Sequence, residues 1–148
     1  MGKRVAPYGS WKSPISAAMV AQGSRVPGEL TLDGDDVYWL ELRPEEGGRY
    51  ALCTLRDGKP EEVLGREFNV RTRVHEYGGG SYLVHGGVVY FTNFRDQLLY
   101  VKEADTHPRP ITREGVRYAD FVVDDRRSRL IGVSEDHTVS GQQAVNSI

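Results

Sequence analysis

Short runs of apolar residues, cut by glycine, proline and aspartate, set the pattern of this chain. Val37-Tyr38-Trp39-Leu40-Glu41-Leu42 is rich in β-formers and stops at Arg43-Pro44. Glu45-Glu46-Gly47-Gly48 then reads as a turn, and Tyr50 to Leu55 as the returning strand. Asp57-Gly58 is a second turn signal. Further strands are expected at Ser81 to Val84, Val88 to Asn93, Gln97 to Glu103, Arg109 to Thr112, Tyr118 to Val123 and Leu130 to Ser134. The chain also ends in strand-like sequence, Ala144 to Ile148.

Helical signal is confined to one place. Ser13 is placed to cap a short helix through Ala21, with Pro14 at its first position and Gly23 just past its end. Ile15, Ala18 and Met19 share one face, which predicts packing against a sheet.

The strand pattern repeats. Val37–Leu42 and Val88–Asn93 each follow a glycine or aspartate turn and each carry a tyrosine with an aromatic neighbour, about fifty positions apart. Leu130–Ser134 is a third copy at about forty. Such spacing, with several short strands per unit, is the mark of propeller blades; a generic antiparallel meander or sandwich gives short strands and glycine turns as well.

Composition narrows the class. The chain has 148 residues, 27% charged and 39% hydrophobic, with a net charge of -2, which suits one globular domain. Basic and acidic residues interleave, so nucleic acid is not an expected partner, and no apolar run is long enough to span a bilayer. Met1-Gly2-Lys3-Arg4 is not followed by the apolar stretch of a secretory signal, and Ala6 breaks the myristoylation pattern. Cys53 is the single cysteine and lies in an apolar strand, so a buried thiol and a cytoplasmic location are expected.

The ordered set of motifs carries a resemblance. Tyr8-Gly9-Ser10-Trp11-Lys12-Ser13-Pro14-Ile15, Asp36 to Arg49, and Val70-Arg71-Thr72-Arg73-Val74-His75-Glu76-Tyr77-Gly78-Gly79-Gly80-Ser81-Tyr82 come first. Tyr90 to Gln97, Arg117-Tyr118-Ala119-Asp120 and Glu135-Asp136-His137 follow. Together, from about residue 8 to about 140, they resemble the N-terminal β-propeller of prolyl oligopeptidase-family serine peptidases, the bacterial dipeptidyl aminopeptidase/acylaminoacyl-peptidase group. The resemblance implies a parent with a C-terminal α/β-hydrolase domain that cleaves short peptides, over which the propeller sits as a substrate gate. The expected fold is all-β: a partial propeller of about three antiparallel four-stranded blades over 36–148, after an N-terminal segment, 1–35, holding one short helix. The hydrolase domain is expected to be absent, and the open blade edges to invite self-association.

The serine elbow Gly-x-Ser-x-Gly is missing; Gly79-Gly80-Ser81-Tyr82-Leu83 has leucine where the second glycine belongs, so Ser81 reads as the start of a strand. His75, His85, His107 and His137 show no metal-ligand spacing. No catalytic residue, cofactor or metal is therefore expected. In a strand, Arg71, Arg73, His75 and Tyr77 would share one side, with Thr72, Val74 and Glu76 on the other. These donors have two readings: they hold a carboxylate or carbonyl of a peptide, or they pair with acids on neighbouring blades. The substrate-contact candidates are thus Arg71, Arg73, His75, Glu76 and Tyr77. Gly78-Gly79-Gly80 lacks a phosphate-loop context and reads instead as a close pass to a neighbouring element. The paired acids Glu45-Glu46, Glu61-Glu62 and Asp124-Asp125 read as solvated turn residues. The rival to a peptidase propeller is a free-standing module that binds a peptide or protein.

Overall fold

Leu40 and Leu52 face each other across two antiparallel strands and are 2% and 0% exposed. They anchor the first of three sheets. The computed structural model describes residues 5–10, 12–21, 23–138 and 143–148; Met1 to Arg4 and Trp11 lie outside them.

The first sheet runs β1 (Val26–Asp33), β2 (Asp36–Arg43), β3 (Arg49–Arg56), β4 (Lys59–Glu62), each pairing with the next. The second runs β5 (Tyr82–His85), β6 (Val88–Thr92), β7 (Leu99–Lys102), β8 (Arg109–Pro110) in the same way. The third holds β9 (Val116–Asp124), β10 (Arg129–Asp136) and β11 (Val145–Ser147). The three apolar runs that repeat in the sequence are β2, β6 and β10, the second strand of each sheet. Strand-to-strand hairpins with tight turns explain why alternation is so local: Asp57-Gly58 and Gly86-Gly87 both sit at positive φ, the geometry that matches strand twist.

The sheets stand side by side. β5 packs against both β1 and β9, so the first strands of successive sheets are neighbours. Between the first two sheets lies a core of Leu40, Leu52, Val70, Val84, Val89 and Phe91, among others. Phe91 stacks on Tyr100 at 5.4 Å and meets Phe68 edge-on at 5.2 Å, a geometry that adds to burial itself. Asp33 joins the sheets at the turns: its carboxylate accepts the amides of Gly86 (3.0 Å) and Gly87 (2.7 Å). His85 Nε2 and Asp125 Oδ1, 2.9 Å apart, make the corresponding link from the second sheet to the third. This is an all-β, partial-propeller arrangement.

Several expectations change. β1 forms part of the first sheet although its residues fell in the stretch read as an N-terminal segment. Pro27 and Gly28 hide it, as does a bulge between Gly28 and Thr31. β4, Lys59-Pro60-Glu61-Glu62, is also a strand rather than a turn, placed at a sheet edge where proline is tolerated. In the third sheet three strands are described where four were expected. The helix is shorter, Ala17–Ala21, because Ser16, not Ser13, accepts the amide of Met19. It does not lie on a sheet: Ile15 is 61% and Met19 57% exposed. Gly23 does take the left-handed φ expected past its end.

Candidate functional site

The segment after Val70 is held by its neighbours on both sides. Val70 N–H donates to Tyr50 O of β3, and Arg71 N–H donates to Thr92 O of β6. Val70, Thr72 and Val74 are each 1% exposed, while Arg71, Arg73 and His75 face outward. The alternation read from the sequence therefore holds as far as His75, though the segment is not a ladder strand. It then fails. His75 and Glu76 both adopt positive φ (55° and 66°) and make a turn, so Glu76 points outward with His75 and Tyr77 instead of opposing them.

This turn docks on the third sheet. Arg117 donates to Arg73 O at 2.9 Å and pairs with Glu76 at 2.6 Å. Glu135, 6% exposed, accepts the His75 amide at 3.2 Å and stands 2.8 Å from His137 Nε2. Burial pushes the Glu135 carboxyl up, but His137, the His75 amide and Arg117 together hold it below its ordinary value. The bond from Arg117 likewise lowers the Glu76 carboxyl.

The two arginines behave differently. The Arg71 guanidinium lies over the rings of Phe94 (5.0 Å) and Tyr50 (5.7 Å), and that of Arg73 over Phe94 (4.6 Å). Neither makes an ion pair among the described residues. Of the five candidates, then, His75 and Glu76 pair across the sheet junction, Arg71 and Arg73 sit on aromatic rings, and Tyr77 is 84% exposed with its ring 5.9 Å from that of His75.

The three glycines make the close pass expected of them. A Cβ on Gly79 would lie 2.9 Å from Asp120 Oδ2 and 3.1 Å from Ala119 Cβ of β9. On the other side, Glu29 of β1 accepts the Ser81 amide at 2.9 Å, and Tyr82 OH donates to Glu29 O. Crowding by protein raises the Glu29 carboxyl although the residue as a whole is exposed; the Ser81 bond opposes this in part. Arg71, Tyr50, Tyr77, Gly78, Ser81 and Glu29 help line a cavity of about 130 Å³. Ser81, just ahead of β5, is 3% exposed and its hydroxyl donates to Gly79 O. Cys53 is buried as expected, and burial raises its thiol pKa.

Glu46 and Glu62, read as solvated, instead bridge the buried Arg43 and Arg49 of the first sheet. Phe94, Glu29, Asp120, Glu135 and Arg117 received no role from the sequence. Arg117 and Asp120 fall in one motif of the resemblance and Glu135 in another, which was the available signal. Among the described residues no group of three or more His, Cys, Asp or Glu side chains is arranged to hold a metal ion.

Successive antiparallel sheets whose first strands adjoin, with a basic and aromatic segment crossing their seams, define a propeller segment. The chain superposes on a puromycin-hydrolysing peptidase of Mycobacterium tuberculosis with a TM-score of 0.83 and 41% identity, over 98% of this chain and 24% of that one. It matches the structure of puromycin hydrolase at TM-score 0.79 and 40% identity, over 90% of this chain and 22% of that one. A serine-to-alanine mutant of puromycin hydrolase complexed with PGG gives 0.78 and 39% over the same shares. No family model and no curated protein sequence matches the chain. The chain is thus homologous to the N-terminal region of these prolyl oligopeptidase-family peptidases, as its motifs implied, and spans about a quarter of their length.

Proposed function

We propose that this chain is a non-catalytic propeller portion of a prolyl oligopeptidase-family serine peptidase, whose part is to gate and contact short peptides. The observation that carries this is the Arg71–Tyr77 segment. It crosses the seams of all three sheets and presents exposed cationic and aromatic side chains beside a small cavity. Homology to puromycin-hydrolysing peptidases over almost the whole chain supports a peptide as the ligand. The missing Gly-x-Ser-x-Gly elbow supports hydrolysis residing elsewhere in the parent. Location in the cytoplasm belongs to the same proposal; the lone buried cysteine, unable to form a disulfide within the chain, supports it. No helix among the described residues is long and apolar enough to cross a membrane.

A serine-directed fluorophosphonate is the test of chemistry. The chain should stay unlabelled, and stoichiometric labelling would overturn the non-catalytic reading. Reading the DNA that follows separates the peptidase from a free-standing interaction module. A hydrolase with a Gly-x-Ser-x-Gly elbow downstream supports the first, and its absence the second.

A further inference from the structure

We propose that Arg71 and Arg73 together form a receptor for a peptide carboxylate; this rests on the peptide-contact reading and specifies its chemistry. Both guanidinium carbons lie within 5.0 Å of the centre of the Phe94 ring, so the two charges are no farther apart than the sum of their distances to it. Neither guanidinium donates a hydrogen bond or meets a carboxylate among the described residues, in contrast to Arg43, Arg49 and Arg117, each of which has an acid partner. Stacking uses the face of a guanidinium and leaves its in-plane N–H fork unspent. Two like charges that share one aromatic ring without a counter-ion repel, and an anion near both relieves that repulsion. A neutral carbonyl does not, so the pair selects a carboxylate.

The pair is also fixed in place. Arg71 N–H is bonded to Thr92 O, Arg73 N–H to Gln97 Oε1 at 2.7 Å, and Arg73 O accepts from Arg117 at 2.9 Å. Three anchors from two sheets hold the backbone, so little ordering cost remains for a ligand. Exposed Tyr77 supplies an aromatic wall, and Glu29, which lines the same cavity as Arg71, disfavours a carboxylate beside it and so orients the ligand.

The carboxylate has two sources in a peptide, the C-terminus and an acidic side chain. Isothermal titration of the full chain at low salt distinguishes them with three probes: N-acetyl-trialanine, its C-terminal amide, and an N-acetylated Ala-Asp-Ala amide. The free acid is expected to bind about tenfold tighter than its amide, as charge-assisted bonds to arginine require. Tight binding of the Asp peptide amide names the side chain as an accepted source, and weak binding restricts the receptor to the C-terminus. Arg71→Gln and Arg73→Gln should each cost about tenfold for the free acid and leave the trialanine amide unchanged. Arg73→Lys should recover only part of the loss, because an ammonium lacks the fork. Arg66→Gln, at another exposed position, should change nothing. Should Arg71→Gln lose its fold by circular dichroism, the outward-facing Arg73→Gln decides. Equal binding of acid and amide, or an equal loss with Arg66→Gln, overturns the receptor and leaves peptide contact standing. No binding of any probe overturns both.

Discussion

Asp120 holds Gly80 by two bonds at once: its carboxylate accepts the Gly80 amide at 2.7 Å, and its own amide donates to Gly80 O at 2.9 Å. Residues from two sheets thereby make a miniature ladder that no strand pattern announces. Asp120 adopts φ 56° to do so. The pairing leaves no room beside it. Gly79→Ala sets a methyl 2.9 Å from Asp120 Oδ2 and 3.1 Å from the fully buried Ala119 Cβ, and the bonded carboxylate cannot swing away freely. The expected cost is about 1–3 kcal/mol, as for other overpacked sites. Urea unfolding monitored by circular dichroism measures it; a variant as stable as the parent would show that the second and third sheets are not held so closely there.

Acid should weaken the link between the first two sheets. The amides of Gly87 and Gly86 hold the Asp33 carboxyl below its ordinary value. A depressed folded pKa contributes stability above the unfolded pKa of about 3.9 and loses it as pH falls through the folded value. Glu29 has the opposite sign: crowding raises its carboxyl, so its charge opposes folding at neutral pH and protonation relieves this as pH falls through the raised value. Asp33→Asn should therefore flatten the loss of stability between about pH 5 and 2. Glu29→Gln, which keeps an oxygen for the Ser81 amide, should be neutral or stabilising at pH 7. Urea midpoints across pH for both variants check the signs.

Glu62 stands between two guanidiniums, bonded to Arg43 at 2.5 Å and to Arg49 at 2.8 Å. The side chains of those arginines are only 10% and 8% exposed. Glu62→Gln leaves two sheltered positive charges with Glu41 and Glu46 alone, at an expected cost of about 3 kcal/mol. Glu61, one residue earlier, pairs with Arg56 in the open, so Glu61→Gln should stay within about 0.5 kcal/mol. Equal effects in denaturant titrations would mean that the buried network is not structural.

Apolar side chains stand uncovered on the outer sheets. Leu30 and Leu32 of β1 are 70% and 63% exposed, and Val122 of β9 is 56%. Patches of this kind favour association. Sedimentation velocity over a range of concentrations should show oligomers that Leu30→Lys with Leu32→Lys reduces, whereas a monomer at all concentrations would contradict this.

How far these features could be read from residues alone depended on range. β2, β6 and β10 were legible because each is a short run of apolar β-forming residues next to a turn signal. β1 was not, since its leucines stay exposed and Pro27-Gly28 interrupts it. The donors of Arg71 to Tyr77 were legible as a group, but their partners were not. His75 meets Glu135 across 60 positions and Gly80 meets Asp120 across 40, and no local pattern encodes such distances. Positive φ at Glu76 escaped for another reason: a glutamate gives little warning of it, whereas at His75 the enrichment of histidine in that region was the one available signal.

On the proposed function a peptide contacts the seam and leaves intact, and one NMR titration tests this. With isotope-labelled chain and N-acetyl-trialanine, amide shifts should move at Arg71 to Gly79 and at Phe94, while the peptide's own resonances persist unchanged in number over days. Shifts confined to other residues, or the appearance of cleaved peptide, would contradict it.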